Sequence, residues 1–252
     1  MFSNYIWGEI VIKLRNWMVS EEIYSIFKFI LPMFEFIFGQ EVMSKEPCSI
    51  SIDRTCATAP ITAFDPTRII LNANSTKFCQ LIFQMAHELT HYAVRQNTDY
   101  QFAICAVSAF EEPACEAMAM YILKMSAEQW EKCDYYQYNL DYAKNFENYR
   151  ISEYNKASDT KPDNYLEWTN ICDRFTGRLT DASQRPNVSA MRNYLYDAFV
   201  KMPTEISYFI KYPLYLRAMP YDKLIDSSRW VEDEPEHAFF VKTICDIQPV
   251  LA

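Results

Sequence analysis

Residues 87–91 read His-Glu-Leu-Thr-His, two imidazoles four positions apart around a carboxylate. On a helix that spacing puts both rings on one face, one turn apart, where they can reach a single metal ion. Zinc suits such nitrogen donors and keeps a position open for water in catalytic sites. Glu88, beside the pair, is placed to take a proton from a water attacking a carbonyl carbon. The chain holds only three histidines, so an accidental pairing around a glutamate is a rare event.

A helix must carry this motif, and the surrounding residues predict one. At about 100° per residue, Phe78, Leu81, Ile82, Met85, Leu89 and Tyr92 share an apolar face. His87 and His91 fall on roughly the opposite side, facing away from the main packing stripe. Asn74 or Ser75 is the expected cap, and the helix is expected to run to Gln96-Asn97. Ahead of it, residues 49–53, 60–64 and 68–72 read as three short strands separated by turn residues such as Asp65-Pro66.

A catalytic zinc usually takes three protein ligands, and no third histidine lies nearby. The acidic run Phe110-Glu-Glu-Pro-Ala-Cys-Glu-Ala-Met-Ala119 supplies the alternatives. Glu112 and Glu116 are one helical turn apart, with Pro113 near the start of that turn. Glu111 is expected ahead of the helix and exposed to solvent. Cys115, between the acidic candidates, reads as a small buried residue.

The chain resembles the gluzincins, and more closely the ImmA/IrrE type of small metallopeptidase. That pattern has a strand ending in Asn, a capped helix of the form F-x-x-A-H-E-L-x-H, and a downstream glutamate with Asn or Asp four residues later. Arg68-Ile-Ile-Leu-Asn72, Phe83-Gln-Met-Ala-His-Glu-Leu-Thr-His91 and Glu112, Glu116, Ala119, Ile122, Leu123 follow it, over residues 68–125. Two departures are visible: Glu116 stands where Asn or Asp is usual, and Pro113 follows Glu112. The resemblance implies a zincin-like fold and peptide-bond hydrolysis.

Glu112 is then read as the third ligand. It lies 21 residues after His91, enough for the chain to leave the helix, turn and return a carboxylate to the ion. Glu116 is read as accepting a hydrogen bond from the distal nitrogen of a liganding histidine. The reverse assignment of the two is the alternative.

The expected class is α+β: mostly helical, with a small sheet before the HExxH helix and a helical C-terminal half. Residues 1–130 are expected to form the catalytic unit, and residues 131–252 a helical part packed on it. Residues 1–39 read as helical, with Ser20 a cap, Pro32 a kink or break, and Gly39 a stop. Helical stretches are also expected over 100–110 and 113–125, and in the tyrosine-rich run after Trp130. Residues 158–163, 185–187 and the acidic segment around His237 read as loops.

Composition narrows the partners. Lys plus Arg number 24 against 33 Asp plus Glu, a formal charge of −9, which disfavours nucleic acid. No helix-turn-helix pattern is recognised, and three glycines disfavour a glycine-rich phosphate cradle. Ile23–Phe38 is apolar but short and carries Lys28, Pro32 and Glu35, so it reads as a packed helix and no membrane partner is expected. Eight scattered cysteines without a C-x-x-C pair, and no recognisable signal peptide, read as reduced thiols of a cytoplasmic protein. The expected function is a cytoplasmic zinc metallopeptidase acting on a peptide or protein. The alternative is a metal-bearing binding or regulatory protein without turnover. The sequence sets no oligomeric state.

Overall fold

A computed structural model describes residues 4–7, 10–13, 21–44, 48–53, 55, 60–64, 67–74, 76–97, 108–156, 185–215 and 225–245. It is mostly helical with little strand, as expected for the α+β class. The expected stretch 158–163 and the first part of 100–110 lie outside the described residues. The chain forms two units: Met1–Gln96 with Met118–Ile151, and Asn97–Ala117 with Ser152–Ala252.

In the first unit, β1 (Asn4–Trp7) and β2 (Ile10–Lys13) pair antiparallel. This corrects the helical expectation for the start of the chain. Ile6, Trp7, Ile10, Val11 and Ile12 are β-branched or aromatic, and pairing with a neighbouring strand realises that preference. Helix α1 (Glu21–Phe38) follows, with Ile26, Phe27, Ile30, Leu31 and Phe34 buried. It runs through Pro32 unbroken, which corrects the expected division. Pro32 sits on the exposed side, while its neighbours Leu31 and Met33 are buried and anchor the helix on both sides. Gly39 does end the helix: its φ of 87° is the left-handed conformation that glycine accepts without a Cβ penalty, and its N–H donates to Glu35 O at 2.9 Å. Helix α2 (Gln40–Ser44) comes next.

Strands β3 (Ser49–Ile52), β4 (Ile61–Phe64) and β5 (Thr67–Leu71) form one sheet in the order β3-β5-β4, β3 parallel and β4 antiparallel to the central β5. All three were expected. Ile50, Ile69 and Leu71 are buried, so one face of the sheet joins the core. Helix α3 (Phe78–Gln96) packs on α1, α2, β4 and β5. Its start lies later than expected, because Asn74 builds a separate turn: its Oδ1 accepts from Thr76 N at 3.2 Å and Thr76 Oγ1 at 3.1 Å.

Helix α4 (Ser108–Gln129) is shared by the two units, with the boundary between Ala117 and Met118. Pro113 lies within its second turn, where few helical N–H bonds are lost. After α4, Trp130 centres an aromatic cluster in the first unit. Phe29, Phe78, Tyr142 and Phe146 surround it at ring-centroid distances of 5.7, 6.0, 5.6 and 5.2 Å. Its indole N–H donates to Asn139 O at 2.7 Å, so the polar edge of the buried ring is satisfied. Tyr142 and Phe146 come from α5 (Tyr142–Tyr154).

The second unit contains α6 (Arg185–Lys201), a 3₁₀ stretch (Pro203–Tyr215), α7 (Ser227–Asp233), a 3₁₀ turn (Pro235–His237) and α8 (Ala238–Cys245). Residues 185–187 are the first turn of α6, correcting the expected loop; proline is well suited to a helix start. His237 is likewise not in a solvated loop. Its ring stacks on Tyr208, and Nδ1 lies 2.5 Å from Glu205 Oε2. The core of this unit includes Phe199, Phe209, Trp230 and Phe240. No helix among the described residues is long and apolar enough to cross a membrane.

Candidate metal centre

Helix α3 presents its chemistry because its other side is occupied. Leu81, Ile82, Met85, Ala86, Leu89, Tyr92 and Ala93 are fully buried, leaving His87 and His91 half-buried on the opposite flank. Their Nε2 atoms lie 3.1 Å apart, with ring centroids at 4.8 Å and an interplanar angle of 72°. For nitrogen ligands roughly 2.0–2.1 Å from zinc at a tetrahedral angle, the N···N separation is about 3.3 Å. The observed spacing therefore fits two donors converging on one ion. Binding in this way requires both Nε2 lone pairs to be free, with the ring protons on Nδ1.

Glu88 occupies a different flank of the same helix. Its side chain is 3% exposed, and Oε1 lies 4.0 Å from His87 Nε2. The other carboxylate oxygen, Oε2, accepts from Thr62 Oγ1 at 2.6 Å. Thr62 lies on β4 and was not singled out from the sequence. A strand threonine carries no chemical signature by itself, and only the packing of α3 on β4 brings it to the motif.

A second polar contact holds the helix to the sheet. Gln84 Oε1 accepts from Asn72 N at 3.2 Å and Ala73 N at 2.9 Å, and Nε2 donates to Asn72 Oδ1 at 2.5 Å. The asparagine that follows β5 is thus clasped by α3, about one turn before His87.

The acidic candidates lie on α4, in the second unit. Glu111 was expected to be exposed but is buried, because α4 starts earlier, at Ser108. Its Oε2 accepts from the hydroxyl of Tyr212, whose ring also meets Phe110 at 5.1 Å. Burial first, and the Glu111 carboxylate second, push the Tyr212 hydroxyl well above its usual range, so it stays protonated and donates. Glu116 Oε2 lies 3.2 Å from Arg192 Nη1. Arg192 is buried and also donates to Glu153 O at 2.5 Å and Asn193 Oδ1 at 3.1 Å. Glu116 therefore has a cationic partner that its sequence neighbourhood did not suggest. Glu112 is half-buried, and Cys115 is fully buried, as expected for a packing residue.

His87 and His91 lie in the first unit, whereas Glu111, Glu112 and Cys115 lie in the second. Imidazole nitrogen, carboxylate oxygen and thiolate sulfur are all donor types that a zinc ion accepts. Comparison with protein families, curated proteins and solved structures returns no match for this chain. The functional argument therefore rests on its own residues.

Proposed function

We propose that this chain is a zinc-dependent metallopeptidase of the gluzincin type, acting on a peptide or protein in the cytoplasm. The observation that carries the reading is the convergence of His87 Nε2 and His91 Nε2 at 3.1 Å, with a buried carboxylate oxygen of Glu88 4.0 Å from His87 Nε2. A mixed three-stranded sheet placed before the HExxH helix supports the zincin-like assignment.

In this reading His87, His91 and Glu112 hold the ion, a donor set of two neutral imidazoles and one anion. Zinc bound there lowers the pKa of water toward neutrality and polarises the substrate carbonyl. Glu88 accepts the proton of the attacking water and passes it to the departing amine nitrogen, so one carboxylate serves both halves of the reaction.

The test is a pair of measurements on the zinc-loaded chain and its Glu88→Gln variant. The variant should keep zinc and lose peptide hydrolysis by several orders of magnitude, because an amide cannot accept the proton. Hydrolysis within roughly tenfold of the parent would assign the base elsewhere. A zinc-loaded parent without turnover on a peptide library would make the chain a metal-bearing binding protein instead.

A further inference from the structure

Strand β4 is built against the usual binary pattern. Ile61 is 38% exposed, while its neighbour Thr62 turns its hydroxyl into the buried carboxylate of Glu88. Register makes the inversion explicit. Thr62 pairs with Ile69, which pairs in turn with Ile50, and both isoleucines are buried on one face of the sheet. Ile61 pairs with Ile70 on the other face. A one-residue slip would bury the isoleucine and expose the threonine, which is what apolar burial alone favours. The phase of β4 instead delivers a hydroxyl to the one acidic residue of α3.

From this geometry we infer that Thr62 is a positioning residue for the proposed hydrolysis, orienting the Glu88 carboxylate through Oε2. The inference rests on the peptidase reading. A carboxylate on a three-torsion side chain has many orientations, and proton transfer needs one of them. The hydroxyl has a single proton, and Oε2 at 2.6 Å is a better acceptor than the Glu88 carbonyl oxygen at 3.3 Å. Holding Oε2 leaves Oε1 as the oxygen nearer His87 Nε2, 4.0 Å away, and free to take the proton from water. Thr62 acts through Glu88, whose Oε2 accepts from its hydroxyl.

The experiment compares zinc-loaded parent, Thr62→Val and Thr62→Ser chains for zinc content, kcat and KM on one cleaved peptide. Valine matches threonine in shape but has no proton to donate. Thr62→Val should retain zinc and KM while kcat falls about 10–100-fold, the usual cost of losing a partner that orients a reacting group. Thr62→Ser, which keeps the hydroxyl, should recover most of that loss. Thr62→Ala serves as the second hydroxyl-free variant if valine prevents folding. A kcat unchanged in the hydroxyl-free variants, or a serine variant as slow as valine, overturns the inference while leaving the peptidase reading intact. An inactive zinc-loaded parent overturns both.

Discussion

Gln84 is joined to Asn72 by a reciprocal clasp: the glutamine amide accepts from the Asn72 backbone at 3.2 Å and donates to its side-chain oxygen at 2.5 Å. The same Gln84 oxygen accepts from the amide of Ala73, a fully buried residue. Gln84→Leu keeps the bulk but removes the acceptor of the buried Ala73 N–H. It should destabilise the fold by about 1–3 kcal/mol, the cost of leaving buried polar groups unpaired. Urea unfolding followed by circular dichroism measures this, and an unchanged midpoint would mean that water replaces the amide.

Zinc should co-purify at about one equivalent per chain when no chelator is used. His87→Ala removes one of two convergent nitrogens and should empty the site. Elemental analysis of the two proteins decides it, and full zinc retention in the variant would sink the assignment.

The three glutamates of α4 should separate by what they lose. Glu112→Ala should largely abolish zinc binding, since a ligand is removed. Glu111→Ala should cost stability, because the buried Tyr212 hydroxyl loses its acceptor. Glu116→Ala withdraws an anion from the buried Arg192 guanidinium and should also destabilise the fold. If Glu116 additionally orients a liganding histidine, zinc affinity falls with it by about 10–100-fold. Zinc titration and thermal melting on the same three variants distinguish these outcomes. Loss of zinc binding in Glu116→Ala with retention in Glu112→Ala would exchange the two roles.

Burial pushes the Cys48 thiol up to about 12 from its ordinary value of 9.0, outweighing a backbone hydrogen bond from Ile69 that acts in the opposite direction. The folded state therefore holds this proton more tightly than the unfolded chain does. Its contribution to stability is complete below the unfolded pKa of 9.0 and is lost as pH rises toward about 12. In the native protein at pH 8, Cys48 should resist iodoacetamide, whereas in denaturant all eight cysteines of the chain should alkylate. Peptide mapping by mass spectrometry checks both, and native labelling at Cys48 would show that the site opens readily.

Local chemistry made much of this protein legible from its residues. The period of Phe78, Leu81, Ile82, Met85, Leu89 and Tyr92 defined α3 and its buried face, and the same wheel placed His87 and His91 together. The alternation of 49–53, the turn at Asp65-Pro66 and the run 68–72 located all three strands of the sheet. These are short-range properties, set by side-chain spacing along one element. Tertiary structure decided the rest. Strand pairing of β1 with β2 overrode a helical reading, and an early start to α4 buried Glu111. Arg192 reached Glu116 across 76 residues, and Thr62 reached Glu88 across 26. Such partners carry no periodic or motif signal, because a hydrogen bond between distant residues depends on how whole elements pack. The sequence alone thus points to His87, Glu88 and His91 as one group on one helix, and the fold determines which neighbours, such as Thr62, meet them.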